Sequence, residues 1–522
     1  MCGIALIVGP QAAQHRVAFG AMMAAIEARG ESQESDERPD SLLGTARLKI
    51  VDREHAVQPW SSVDGRWTLC YNGEIFNHDA LRRRLVLDGR PQRSEGDTEV
   101  ALESFLAWGE DALLKFRGEF ALAVLDRSTG RVFLARDPVG VKPLYWARRD
   151  GHLLIGSEVK AFAHLGVDVH EVPPGYCGWG SPEADPLLAP YVDLLSLGEG
   201  QPMIMDVAEA KAAVRDTLRQ AIARRVDTDL PVGVILSGGL DSSLTLLLAR
   251  QLHPDVVAFT VGTPNSPDLE YARRLTADLG VRHEVVELNP SSIGLADVRE
   301  AVRVSELTEY GDAINAVVSL AVFDRVRDSG IKVVLSGDGS DELFGGYPMY
   351  SDIGPEQARG LFRQKIRHLS RTELQRVDRC SMGRQVEVRV PFLDLDLLQL
   401  SMRIPMEFKV RDGVEKWIVR EAHADILPSY IKQRPKNPMS YSSGLHERIR
   451  LFRPVMPRMY RGFGYEAHAP MRRDFDSTLA RNDYDLASAV AEAERAEDYT
   501  VYERAKDFAG ALKWNLKGAV GL

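Results

Sequence analysis

The spacing of apolar residues divides the chain into two differently patterned halves. Over the first 180 residues, "GIALIVG", "WTLCYNGEI", "EFALAVLD", "RVFLARD" and "HLLIGS" are apolar or alternating runs of strand length, bounded by Gly, Asp and Arg. Helical spacing appears in "VAFGAMMAAIEARG" and "TEVALESFLAWGEDAL". Strands and helices mixed in this order predict an α+β layered domain over residues 1–180. The stretch 181–205, "SPEADPLLAPYVDLLSLGEGQPMIM", has four prolines and no sustained period, and reads as a linker. From 206 to 522 the pattern becomes strand–helix alternation. The helix "AKAAVRDTLRQAIARRV" comes first, and "VGVIL", "VVAFTVG", "HEVVEL" and "KVVLSG" are strands separated by helices. This predicts an α/β doubly wound parallel sheet, followed from about residue 355 by a mostly helical part.

Composition narrows the function classes. The chain has 522 residues, 44% hydrophobic and 27% charged, with a net charge of -10. That balance gives no basic face, so no nucleic acid partner is expected. No apolar run reaches the roughly 18–20 residues of a membrane span, so no membrane association is expected either. The four cysteines form no CxxC pair, which argues against a zinc site or a disulfide framework. A cytoplasmic enzyme is the expectation.

Two stretches carry candidate chemistry. In "VGVILSGGLDSSLTLLL" a buried strand ends at Leu236, the loop Ser237-Gly238-Gly239-Leu240-Asp241-Ser242-Ser243 follows, and a helix begins at once. Two glycines let the backbone approach a ligand, and N–H groups at a helix start face an anion. The string lacks GxxxxGK[ST], so it is not a Walker A loop. In "KVVLSGDGSDELFGGY" a second strand runs into Ser336-Gly337-Asp338-Gly339-Ser340-Asp341-Glu342, placing carboxylates at the same sheet edge. A Mg²⁺-bound pyrophosphate takes oxygen ligands from one or two carboxylates, and Asp241 and Asp341 are the candidates.

These motifs, with "MCGIA", "RLKIVD", "YNGEIFNH", "GDTEV", "ARDPVGVKPLY", "GSEVKAF", "VEVRVPFLD", "GVEKWIVREA" and "RPKNP", resemble the glutamine-dependent asparagine synthetase family over roughly residues 1–450. The resemblance implies an N-terminal-nucleophile (αββα) amidotransferase domain fused to an ATP-pyrophosphatase domain. It implies removal of Met1, with Cys2 as the nucleophile and its own α-amine as base. Asn72 and Gly73 would form the oxyanion hole. Arg47, Leu48, Lys49, Ile50, Val51, Glu74 and Asp97 would bind L-glutamine. ATP would contact Leu236, the 237–243 loop, Val261, Ser336 and Gly337. Lys436 would neutralise charge on the α-phosphate, and Asp338 stands where the family often has a glutamate assisting the intermediate. Arg389, Lys416 and Arg420 read as structural ion-pair members. A homodimer is compatible with the family.

Two departures bear on the acceptor. The family's His-Arg-Gly-Pro-Asp stretch is "ARGES" here, keeping Arg29 and Gly30. Its Thr-Thr-Ile-Arg stretch aligns with "GDAINAVV", which puts Asn315 near the arginine's place. Two readings therefore stand. One is glutamine-hydrolysing synthesis of asparagine from aspartate. The other is amidation of a different carboxylate, such as a natural-product intermediate, with a substituted nitrogen donor. A catalytically inactive homologue is the third, and the retained Cys2, Asn72, Asp97, the full SGGLDSS string, Asp341 and Lys436 argue against it.

Overall fold

In the computed structural model the described residues are 1–264, 266–307, 310–435, 445, 448–449, 451–452 and 455–463. They fall into two compact units. Unit 1 holds Met1–Glu199 together with Asp227–Leu230 and Met382–Arg389; unit 2 holds Gly200–Val226, Pro231–Ser381 and the described residues from Val390 on.

Unit 1 contains two six-stranded sheets. The strands are β1 (Cys2–Val8), β2 (Ser32–Arg38), β3 (Ser41–Arg47), β4 (Trp60–Ser61), β5 (Trp67–Ile75), β6 (Gly118–Asp126), β7 (Arg131–Arg136), β8 (Tyr145–Arg149), β9 (His152–Gly156), β10 (Val169–Glu171), β11 (Tyr176–Gly180) and β12 (Leu187–Pro190). One sheet runs β10-β8-β9-β1-β3-β2 and the other β12-β11-β7-β6-β5-β4. Alternate residues explain why they pack face to face. Ile4, Leu6 and Val8 of β1 share one buried cluster with Cys70 of β5, Ala121, Ala123 and Leu125 of β6, and Leu134 of β7. The opposite face of the second sheet (Leu69, Tyr71, Phe120, Leu122) packs on α2 (His78–Leu87) and α3 (Asp97–Trp108). Helix α1 (Arg16–Ile26) packs on β1 and β3.

The motif "ARDPVGVKPLY" is architectural. The Asp137 carboxylate accepts hydrogen bonds from the backbone N–H groups of Phe120, Val139, Gly140, Val141 and Lys142. The Arg136 guanidinium donates to the carbonyls of Gly140, Lys142 and Val172. One acid and one base thus satisfy a whole buried turn. Within 181–205, β12 pairs antiparallel with β11, so that segment opens as an edge strand.

Unit 2 contains parallel strands β13 (Val232–Ile235), β14 (Val256–Gly262), β15 (Arg282–Glu287) and β16 (Val333–Leu335), in the order β15-β14-β13-β16. Connections from β13 run outward to β14 and β15, and then return across β13 to β16. The loops after β13 and β16 therefore leave in opposite directions, and a crevice opens between them at the carboxyl edge of the sheet. The helices that accompany this sheet include α4 (Val207–Arg225), α5 (Leu240–Leu252), α6 (Pro267–Leu279), α7 (Tyr310–Asp328), α8 (Gln375–Met382) and α9 (Trp417–Ala422). The last strand, β17 (Glu387–Arg389), lies in a segment that groups with unit 1. No helix among the described residues is long and apolar enough to cross a membrane.

Candidate functional site

In unit 1 the first buried strand delivers Cys2 to the end of β1, opposite Arg47 in the β1–β3 register. The Cys2 backbone N–H donates to Asn72 Oδ1 at 3.0 Å. Asn72 is fully buried, and its Nδ2 has no hydrogen-bond partner. An amide held by one end and free at the other is a donor aimed at something absent from the chain itself. Gly73 follows in β5, and a Cβ there would collide with the carbonyl of Glu119 and with Phe120. Gln58 donates from Nε2 to Cys2 Sγ at 3.6 Å and accepts the Tyr71 N–H at Oε1. Sequence reading missed Gln58, because "VQPW" carries no motif. Arg29 donates Nε to the Cys2 carbonyl at 3.1 Å and pairs with Glu158 at 2.5 Å. Gly30 lies flush against the Ala46–Arg47 backbone, with no room for a side chain. The two residues kept in "ARGES" are therefore the ones the Cys2 strand needs.

The predicted glutamine segment lines this region. The Leu48 N–H donates to the Met1 carbonyl at 2.9 Å. The buried Arg47 guanidinium donates to the carbonyls of Asp52 and Arg53. The Lys49 N–H donates to Glu31 and the Ile50 carbonyl accepts from Arg53, while Val51 is half-buried. Asp97 Oδ2 accepts the Tyr71 hydroxyl at 2.8 Å and the Ile75 N–H at 3.1 Å. The Met1 ammonium, itself buried, sits 3.2 Å from Glu387. Arg389 bonds Glu387 at 2.5 Å and lies 3.8 Å from Glu74.

The electrostatics follow from burial. Burial would raise Glu387, but Arg389 and the Met1 ammonium outweigh it and hold the carboxyl down to about 2. Burial, with Asp97 beside it, pushes Glu74 well above the ordinary carboxylate range. Burial also raises the Cys2 thiol, despite the Met1 ammonium and Arg47 nearby. While Met1 remains, the Cys2 nitrogen is an amide and cannot take the thiol proton.

In unit 2 the first loop leaves β13 at Leu236, whose N–H bonds the Phe259 carbonyl and whose carbonyl accepts the Thr260 hydroxyl. Gly238 turns with φ of 70°, a conformation that costs other residues strain. Ser237 and Ser242 hydroxyls join at 3.0 Å across the loop, and the Gly239 N–H donates to Ser237. Leu240 and Asp241 open α5. The second loop lies against the first, since a Cβ on Gly337 would fall 2.9 Å from Asp241 Cβ. Val261 lies in β14 at the same sheet edge. The Ser243, Ser266 and Ser336 hydroxyls are buried without a partner. So is Nη1 of Arg434, which stacks on Tyr271, pairs with Asp268 and reaches the Gly238 turn. These unpartnered polar groups are what an anion would satisfy. Arg434 was overlooked in "RPKNP" in favour of Lys436, which lies outside the described residues.

The expected metal ligands converge. Lys416 Nζ pairs with Asp241 and lies 2.7 Å from Asp341, while Ser340 donates to Asp241 at 2.7 Å. Lys416 is buried and holds φ of 54°, a costly conformation for a lysine that is concentrated at functional sites. A Cβ on Gly346 would overlap this pair, which explains the glycine in "FGGY". Two carboxylates that share one cation fit a magnesium–pyrophosphate complex, which completes its shell with phosphate oxygens. Lys416 thus touches the candidate site directly. Arg420, in contrast, braces the 432–434 segment through the carbonyls of Lys432 and Arg434.

A buried N-terminal thiol beside a half-used amide, and a Gly-Ser loop with convergent carboxylates, define a two-site chain: one site for a nucleophile, one for an anion. Comparison with known proteins identifies the combination. The glutamine amidotransferase domain family matches residues 1–173, and the asparagine synthase family matches 213–361 and 352–460. A putative glutamine-hydrolyzing asparagine synthetase of Methanocaldococcus jannaschii is 32% identical over 454 residues, covering 77% of this chain and 82% of that protein. A probable one from Dictyostelium discoideum is 30% identical over 482 residues, 85% of each. Asparagine synthetase B of Escherichia coli is 31% identical over 426 residues, 78% of this chain and 75% of that one. The chain belongs to the glutamine-hydrolysing asparagine synthetase family.

Proposed function

We propose that the protein is a glutamine-dependent, ATP-consuming carbon–nitrogen ligase that converts aspartate to asparagine. The observation that carries this is Asn72, whose Oδ1 holds the Cys2 nitrogen while its Nδ2 remains unpaired in the core. The family relationship supports aspartate over another carboxylate. Residues 1–180 act as an N-terminal-nucleophile glutaminase of αββα layering and 206–522 as the synthetase, joined by 181–205. Four free cysteines, all buried, fit a cytoplasmic enzyme.

Removal of Met1 turns the Cys2 nitrogen into an amine, with an ordinary pKa near 8 and already fixed by Asn72 Oδ1. The amine takes the thiol proton, and Sγ attacks the glutamine carboxamide. Asn72 Nδ2 and the Gly73 N–H donate to the resulting oxyanion. Ammonia leaves, and water hydrolyses the thioester to glutamate. Arg47 grips the substrate's α-carboxylate, and Glu74 and Asp97 face its ammonium. In the second site the 237–243 loop, Leu236, Val261, Ser336 and Gly337 bind ATP, and Arg434 adds a donor to the phosphates. The acceptor carboxylate attacks the α-phosphate, pyrophosphate leaves, and ammonia displaces AMP from the acyl-adenylate. Asp241 and Asp341 would hold Mg²⁺, which when bound offsets the charge of the departing pyrophosphate. Asp338 assists the adenylate and Lys436 the phosphate.

The test is pyrophosphate release with glutamine, ATP and a panel of carboxylic acids. L-Aspartate should head the panel, with asparagine as product. An enzyme that stays silent with aspartate but responds to another acid is not an asparagine synthetase.

A further inference from the structure

Beside the second loop lies a group of polar side chains that neither the ATP reading nor the glutamine reading uses. Helix α7 presents Asp312, Asn315 and Ser319 at successive turns, which places them on one face. Opposite stands Arg376 in α8, nine-tenths buried. Its Nη1 donates to the Ser319 hydroxyl at 3.2 Å. Its Nη2 lies 3.0 Å from Asp338 and 3.1 Å from Glu373. Its Nε is buried and has no partner. Asn315 Oδ1 is likewise buried without one. Glu373 projects from a π-helical turn, Ser370–Leu374, that interrupts the helix immediately before α8. Such turns concentrate at functional sites.

A buried guanidinium with a spare donor needs an acceptor, and a buried amide oxygen needs a donor. Among the described residues Arg376 Nη2 is shared by two carboxylates, Asp338 and Glu373. A plain dicarboxylate would add charge of the sign already in excess. A head group that carries an ammonium beside a carboxylate satisfies both orphaned atoms and adds no net charge, so the whole ligand brings one negative charge fewer than a plain dicarboxylate. Asp338 and Glu373 keep about a quarter of their side-chain surface exposed, 24% and 29%, so a small molecule reaches them from solvent.

We propose that Arg376, Glu373 and Asn315 form the head-group site for the acceptor, reading the α-carboxylate and α-ammonium of an amino dicarboxylic acid. Arg376 Nε donates to the α-carboxylate, and Glu373 with Asn315 Oδ1 accepts from the α-ammonium. The side-chain carboxylate is left to reach the adenylating loop through Asp338. Arg376 then serves as the cation that the "GDAINAVV" segment lacks, supplied from a different helix. The assignment rests on the amidation reading above and deepens it.

The experiment crosses substrate deletions with side-chain changes in the full-length enzyme, using pyrophosphate release. 3-Aminopropanoate is aspartate without its α-carboxylate, and succinate is aspartate without its α-amine. The wild-type enzyme should favour aspartate over each by about 100-fold or more in kcat/KM, as for a site built around charged hydrogen bonds. Arg376→Lys retains the charge but not the fork, and Arg376→Met removes both. Both should cut kcat/KM for aspartate, chiefly through KM, and leave 3-aminopropanoate within about threefold, so the preference shrinks by about tenfold or more. Glu373→Gln should do the same for the preference over succinate. KM for ATP should hold in Arg376→Lys, which shows that the nucleotide site is intact. If the variants slow aspartate and the truncated acids in equal proportion, Arg376 only positions Asp338 and the assignment is overturned. A wild-type preference below about tenfold overturns it as well. Wild-type silence toward aspartate, with response to an acid lacking an α-amine, fails the amidation reading of aspartate itself.

Discussion

Changing Asn72 to alanine isolates the half-used amide. The substitution removes Nδ2, the unpaired donor, and Oδ1, which holds the Cys2 nitrogen at 3.0 Å. Loss of one oxyanion-hole donor costs about 2.7–4 kcal/mol in the transition state, or about 10²–10³ in kcat. Loss of the bond to the nitrogen adds about 1 kcal/mol, because the amine is no longer held toward the thiol. Folding should suffer little, since only one end of the buried amide is bonded. The expected glutaminase rate is therefore about 10³-fold down with KM for glutamine nearly unchanged. Asn72→Asp keeps an acceptor for the amine and puts a like charge against the oxyanion, so it should be at least as slow. Glutamate release measures the first activity. Pyrophosphate release with ammonium chloride measures the second, which should match wild type in both variants. A glutaminase rate within fivefold of wild type in Asn72→Ala would refute the oxyanion role. So would an Asn72→Asp enzyme that works normally.

Three further outcomes follow from other contacts. Cys2→Ala should abolish glutaminase activity and spare ammonia-dependent synthesis; equal loss of both would count against separate sites. Lys416→Met removes the cation that Asp241 and Asp341 share, at a cost of about 3–5 kcal/mol. Magnesium should therefore raise its Tm more than that of wild type, and an equal rise in both would argue against a shared cation position. Burial, with Glu373 and Asp341 alongside, pushes Glu342 up to about 8 from an ordinary 4.5. The folded state binds that proton more tightly than the unfolded chain, so its contribution is full below about pH 4.5 and is lost as pH rises to about 8. Glu342→Gln should thus gain Tm relative to wild type between pH 5 and 8, and a pH-independent difference would remove Glu342 as the cause.

Much of this was legible because period and punctuation agree. The strand β14 and the loop after β13 lie where apolar runs meet glycine, and β5 coincides with "WTLCYNGEI". The polar strand β2, "SQESDER", escaped detection because its alternation is between exposed and half-exposed polar residues, with no apolar side to mark it. Its partner β3 is buried on both faces and has no alternation to read. At the sites, residues inside motifs were visible, whereas Gln58, Arg434 and Arg376 act through side chains brought from distant segments. Lys416 was read as structural because a lysine three residues after a glycine gives no hint of which carboxylates it will meet. The role of Arg376 could not be inferred from its own neighbours, since it depends on a helix some sixty residues earlier.

The ion pair between the first residue and Glu387 has a meaning for maturation. With Met1 attached, a tethered ammonium pairs with Glu387, which also bonds Arg389, and Arg389 in turn lies near Glu74. Removal of Met1 would take that ammonium away and leave Glu387 with one cation fewer. Under the proposed function glutamine brings an ammonium of its own, so its binding would restore, reversibly, a positive charge near the one that processing removes. Any extension that blocks trimming should then act as a permanent plug, silencing glutamine use while free ammonia still serves the second site.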